Sequence, residues 1–118
     1  VDKGPLSEVT MSQHPYSGHI EYLAHHVREV KTISLETAIH KMAAKPAKRF
    51  GIKKRGVLKE GNFADIVVFD PANVRTKSTV QQPRAYPEGI QLVVVNGAIA
   101  VKDGEHSGSM TGKVLRRN

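Results

Sequence analysis

Cysteine and tryptophan are absent from the 118 residues, and three phenylalanines and three tyrosines are the only aromatic side chains. Without cysteine there can be neither a disulfide framework nor a thiolate metal site. So few aromatics leave no series of platforms on which unpaired bases could stack. No apolar run approaches the ~20 residues that a membrane-spanning helix needs. The length allows one domain at most and excludes a complete (β/α)8 barrel, which takes roughly 250 residues. Acidic residues are in deficit: 11 Asp and Glu stand against 18 Lys and Arg, a formal charge of +7. Apolar residues at 39% and charged ones at 25% are nevertheless the proportions of a folded chain. The sequence opens on Val1 with nothing like a signal peptide near it, so a segment of a longer protein is expected; the location expected for that protein is cytoplasmic.

What is present divides into two halves. Residues 1–17 read as loop, interrupted by Gly4, Pro5, Pro15 and a scatter of Ser and Thr. A helical pattern begins at Gly18, with Ile20, Leu23, Ala24, Val27 and Val30 on one stripe. Ser34 suits the N-cap of a second helix, with Glu36 in its first turn and Leu35, Ala38, Ile39, Met42 and Ala43 as its apolar side. Pro46 is expected to end or kink that helix, because it has no N–H and its ring collides with the preceding turn. A short turn over residues 47–50 then closes on Gly51, a left-handed cap. Beyond it the chemistry is that of strands. Val57-Leu58 and the stretch from Ala64 to Phe69 read as strands, the second stopped by Asp70-Pro71. Val74 and Thr79-Val80 are weaker candidates. Asn96-Gly97 between two apolar runs is the strongest local signal, because a type I′ hairpin turn needs positive φ at both central residues. Asp103-Gly104 is expected to end the second of those strands. Helices first and strands second give an α+β order.

Several side chains invite a chemical reading. Lys41, Lys45, Lys48, Arg49, Lys53, Lys54 and Arg55 occur with no acid between Glu36 and Glu60. They read as a phosphate-binding patch or as a solvated helix face followed by a polar turn. The absence of interleaved aromatics favours the latter, so neither a nucleic-acid nor a membrane partner is expected. His14, His19, His25, His26 and His40 crowd the first half. A zinc site needs three or four converging ligands. His19 and His26, seven apart, could share a helix face while His25 points elsewhere, and neither His-x-His nor His-Glu-x-x-His occurs, so these read as surface histidines. Asp65 and Asp70 flank a strand and read as solvent-facing turn or edge residues. Asp2, before Lys3-Gly4, reads on spacing alone as a turn former. By its residues alone the chain displays no self-sufficient active site.

Longer motifs say more. They run through Ser34-Leu35-Glu36-Thr37-Ala38-Ile39-His40-Lys41-Met42, Pro46-Ala47, Arg49-Phe50-Gly51 and Arg55-Gly56-Val57-Leu58. Gly61-Asn62-Phe63-Ala64-Asp65-Ile66-Val67-Val68-Phe69-Asp70-Pro71 follows. Together these resemble the C-terminal region of the amidohydrolase superfamily. Tyr86-Pro87-Glu88-Gly89-Ile90, Val95-Asn96-Gly97, Gly104-Glu105-His106-Ser107-Gly108 and Gly112-Lys113-Val114-Leu115-Arg116 are similar to the N-acyl-D-amino-acid deacylases within it. Before Ser34 the likeness is carried by His14-Pro15, Gly18 and Val27-Arg28-Glu29. Tyr16 and His19 depart there from the Arg and the aromatic that the family usually carries.

The resemblance implies an α+β fragment. Residues 1–54 would be the last loop and helices of a (β/α)8 barrel, and residues 55–118 the C-terminal strands of a small β-sandwich beside it. The sheet would keep open edges, through which copies could self-associate. The implied reaction is hydrolysis of the amide of a small-molecule N-acyl-D-amino acid. In the complete enzyme a bound zinc would activate water, with ligands outside this chain. The resemblance also gives Asp2 a role: it stands where the family's catalytic carboxylate is expected, taking the water's proton and passing it to the leaving amine. A dihydroorotase-like or dipeptidase-like amidohydrolase and a non-catalytic basic binding module are the alternatives.

Overall fold

A computed structural model describes residues 14–116. Helices come first and an antiparallel sheet second, in the expected α+β order. α1 spans His14–Glu21, so the helix starts inside the stretch that reads as loop. Its continuation, Tyr22–Glu29, is π-helical: the N–H of Val30 donates to the carbonyl of His25, five residues back, at 2.8 Å. That wider turn breaks the phase of the apolar stripe. Leu23 and Ala24 are buried and Ile20 and Val27 pack on the core, while Val30 is rotated out and half exposed.

α2, Leu35–Met42, begins where the sequence predicts. Ser34 is extended, and its hydroxyl accepts the N–H of Thr37 at 3.2 Å. Pro46 acts as expected, but the chain does not merely turn after it. α2 ends at Met42, Ala43 leaves helical geometry (φ −121°, ψ −72°), and α3 forms over Ala44–Arg49. Pro46 thus falls in the first turn of a new helix, where its missing N–H would have had no partner. Gly51, at φ 69°, closes α3: its N–H meets Lys48 O, and Ile52 N–H returns to Ala47 O at 2.8 Å.

The strands are β1 (Ile66–Phe69), β2 (Ile90–Val95), β3 (Ala98–Lys102) and β4 (Glu105–His106), adjacent in chain order and all antiparallel. Asn96 and Gly97 take φ 49° and 82°, the two positive angles of the type I′ turn between β2 and β3. Asp103 and Gly104 repeat this at 49° and 83°. They end β3 at Lys102, as expected, and in addition fold β4, where the sequence reads only a tail, back onto β3. Three other expectations are corrected. Val57-Leu58 forms no strand, and both side chains are exposed. β1 begins at Ile66 rather than Ala64, because Ala64 and Asp65 are occupied with the hairpin tip. Thr79-Val80 is a turn, with Thr79 and Gln82 bonding each other through N–H, carbonyl and hydroxyl.

The core lies where helix and sheet meet. Leu23, Ala38 and Val74 are its buried centre, flanked by Leu35, Met42, Phe69 and Ile90. Arg28 straps the joint from the helical side, donating to Val74 O at 2.6 Å and Pro71 O at 3.2 Å. The core is small, and much apolar surface stays uncovered: Phe50, Val57, Leu58, Phe63, Val67 and Ile99 are each about half exposed or more. β1 and β4 are the sheet's two edges. Among the described residues no helix is long and apolar enough to cross a membrane.

Candidate functional site

Asp2, the one residue to which the resemblance gives a catalytic role, lies outside the described residues. Among the described side chains the histidines do not converge. His25 pairs with Glu29 on its own helix at 3.1 Å and meets the edge of the His26 ring, which in turn lies against Tyr22. Nowhere among the described residues do three His, Asp or Glu side chains gather so as to hold a metal ion. The described residues therefore offer no set of side chains that fits zinc.

The most organised polar group joins residues that the sequence reads separately. Arg55, expected in a solvated basic turn, is instead drawn inward, its side chain only 12% exposed. Its guanidinium ion-pairs with Asp65, donates to Asn96 Oδ1 at 2.5 Å, and lies over the Phe63 ring at 4.2 Å. Asn96 extends the set: its backbone N–H donates to Asp65 Oδ1 at 2.8 Å, and its side-chain amide donates to Thr111 O at 2.6 Å. The Thr111 hydroxyl reaches Val95 O at 2.8 Å, and Gly97 N–H reaches Ala64 O at 2.9 Å. Four segments are thereby pinned at one point: the turn after α3, the entry to β1, the β2–β3 hairpin tip and the C-terminal strip. Asp65 is thus not a free edge residue. The Asn96 N–H holds its carboxyl below the ordinary aspartate range with help from Arg55, against an opposing effect of burial.

Losing Arg55 would strand a partly buried carboxylate and an amide oxygen. Arg55→Ala is therefore expected to cost about 2–3 kcal/mol, measured by urea unfolding; a loss within experimental error would show the node to be ornamental. Asp70, as expected, is a turn residue. Asn73 Nδ2 and Ala72 N–H donate to its carboxylate at 2.6 and 2.9 Å and keep its pKa low. Glu88 is lowered likewise by Lys77 and Arg75.

All three carboxyls are depressed in the fold, so their contribution is complete above their unfolded range. It is lost as pH falls through the folded values, below the reference 3.8 of Asp and 4.5 of Glu. Unfolding titrations should therefore show stability draining away on the acid side, and Asp65→Asn should flatten that limb. An acid limb of unchanged slope in Asp65→Asn would remove Asp65 from this explanation.

Two concavities flank the joint. A wide, shallow one of about 710 Å³ runs along Arg28, Lys31, Ser34 and Pro71. A smaller apolar one of about 230 Å³ lies on the sheet between Val67, Val93, Val101, Tyr86 and His106. His106 Nδ1 accepts the Gly108 N–H at 2.9 Å and so braces the turn after β4.

Comparison with known proteins gives this geometry a context. Residues 5–101 match the amidohydrolase family. An N-acyl-D-aspartate deacylase of Alcaligenes xylosoxydans xylosoxydans is 48% identical over 90 residues, which is 75% of this chain and 18% of that protein. The crystal structure of a D-aminoacylase superposes with a TM-score of 0.81 at 39% identity, over 84% of this chain and 21% of its own. An N-acyl-D-glutamate deacylase from Bordetella bronchiseptica, solved with zinc and a phosphonate mimic of the tetrahedral intermediate, superposes at 0.78 and 39%, over 85% and 21%. The chain thus spans about a fifth of the length of the relatives it matches.

Proposed function

This chain belongs to the amidohydrolase family, and from that footing we propose that it is the C-terminal portion of a zinc-dependent enzyme that hydrolyses the amide bond of N-acyl-D-amino acids, releasing a D-amino acid and a carboxylate. The observation that carries the reading is the match to D-aminoacylase: a TM-score of 0.81 at 39% identity, over most of this chain but a fifth of the other. The matched stretch, 84% of the chain, is long enough to take in both helices and sheet, and 39% identity over it is more than a shared fold requires.

In this reading residues 1–54 are the last loop and helices of the barrel, and residues 55–118 the C-terminal part of the small β-sandwich. The division is supported by the helices ending at Arg49 and the sheet starting at Ile66. The uncovered side chains Phe50, Val57, Leu58 and Val67 are where the rest of the enzyme would pack. Without that cover, the open edges of β1 and β4 would let copies pair with one another.

Zinc belongs to segments beyond the described residues, which offer no ligand set. Asp2 is assigned as general base and then general acid: it takes a proton from the attacking water and returns it to the departing amine nitrogen. It lies just ahead of residue 5, where the family match begins. Arg55, Asp65, Asn96 and Thr111 take no part in the chemistry; they hold the sheet together beside it.

The test is direct. The 118-residue chain, supplied with zinc, is expected to show no turnover of N-acyl-D-aspartate, N-acyl-D-glutamate or neutral N-acyl-D-amino acids. Hydrolysis of any of them by the chain alone would mean that it carries its own metal ligands. A phosphate-binding role for the basic run finds less support, since Arg55 is committed to Asp65 and Asn96.

A further inference from the structure

Asn followed by Gly is the dipeptide most prone to spontaneous deamidation, because the glycine leaves its own backbone nitrogen unhindered. In that reaction the Gly97 nitrogen would attack Cγ of Asn96 and lose its proton. Ammonia would leave, and the resulting cyclic imide would open with water to aspartate or iso-aspartate. No co-reactant other than water is needed. Each requirement of this chemistry is opposed by a contact in the fold. The Gly97 N–H, whose proton must go, is held by Ala64 O at 2.9 Å. The Asn96 side chain, which must swing onto that nitrogen, is held at both ends: Oδ1 by Arg55 at 2.5 Å and Nδ2 on Thr111 O at 2.6 Å. The backbone between them is fixed in the left-handed turn, φ 49° and 82°.

We propose that Asn96-Gly97 is a modification site shielded by the folded state, whose deamidation is gated by local opening of the β2–β3 tip and releases the C-terminal strip. The release follows from the atoms involved. An aspartate at 96 would place a carboxylate oxygen, not an amide donor, against the Thr111 carbonyl, and a second negative charge beside Asp65. Iso-aspartate would also lengthen the backbone within a two-residue turn that sets the register of β2 against β3. The inference is independent of the deacylase reading, since it uses only contacts within this chain.

Two measurements on the 118-residue chain decide it. Peptide mapping by mass spectrometry follows amide loss and iso-aspartate at position 96 at mildly alkaline pH, in buffer and in urea. Conversion in buffer is expected to be at least about tenfold slower than in urea, the effect of a modest local opening equilibrium; equal rates overturn the shielding. Separately, Asn96→Asp stands in for one product. Trypsin cleavage after Lys113, two residues beyond Thr111, is expected to accelerate about fivefold, the worth of one lost hydrogen bond. Unchanged cleavage overturns the coupling to the C-terminal strip.

Discussion

Asp2→Asn is expected to remove deacylase turnover while leaving the metal in place. The measurement needs the rest of an enzyme around the chain. A chimera supplies it, in which residues 1–118 replace the matching stretch of the N-acyl-D-aspartate deacylase. Asparagine keeps the shape of the side chain but cannot accept a proton from water at neutral pH. A positioned general base is worth about 10²–10⁴ in rate, and this one is asked to act twice, first as base and then as acid. A loss at the upper end of that range is therefore expected, in kcat rather than KM, with zinc content unchanged by metal analysis. Near-normal turnover would return Asp2 to the role its spacing alone suggests, that of a turn residue. Loss of both turnover and zinc would point to a ligand instead of a base.

The second large effect concerns Gly89, and it is one of stability. The residue sits at φ 82°, and its carbonyl accepts the N–H of Asp70 at 2.9 Å. A Cβ there would lie 2.6 Å from Val74 Cα, 2.7 Å from Val74 N and 3.0 Å from Asn73 C. These are backbone atoms, so no side chain can rotate away to make room. Val74 is 1% exposed and belongs to the core joining helix to sheet. Left-handed geometry costs a non-glycine residue about 1–2 kcal/mol, and an overpacked core about 1–3 more. Gly89→Ala should therefore cost about 3–4 kcal/mol, a large part of a small domain's stability. Gly97→Ala is the control. Its φ is the same 82°, but a Cβ would meet nothing within 4 Å, so only the conformational cost of about 1–2 kcal/mol remains. Urea unfolding of the two variants separates the terms. Equal losses would show that the approach to Val74 is relieved by backbone movement.

Features dictated by neighbouring residues were legible in the sequence. Asn96-Gly97 declares its turn because only the turn's own φ values are at stake. Ser34 declares its cap because the N–H it satisfies is three residues away. Pro46 forces a break because its ring and the preceding turn are one local object. Asp103-Gly104 was equally plain as the end of β3, but what lies beyond it was not. The strand that follows is two residues long, too short to show any alternation. Arg55 and Asp65 were misread for a different reason. The partners that draw them inward lie far along the chain: Asn96 is 41 residues from Arg55 and 31 from Asp65. A cation in a run of cations looks solvated until the fold supplies a carboxylate and a ring. The phase shift after Glu21 was equally hidden, because a stripe at helical spacing does not distinguish an α from a π turn. Of the candidate site, charge and spacing gave only negatives: histidines that do not converge and basic residues without aromatics. The role of Asp2 came from the resemblance of longer motifs, since a lone aspartate before Lys-Gly carries no chemical signature of its own.

Activity of the unaltered chimera tests most directly whether these residues are a working part of a deacylase. The contacts of Arg28 with Val74 at the joint, and of Arg55 with Asp65 and Asn96 at the hairpin tip, all lie within this chain and would be carried over intact. The apolar side chains left uncovered here would then have the rest of an enzyme to pack against. The expected result is a folded, zinc-loaded protein that hydrolyses an N-acyl-D-amino acid. A chimera that folds and holds zinc yet turns over no N-acyl-D-amino acid would contradict it.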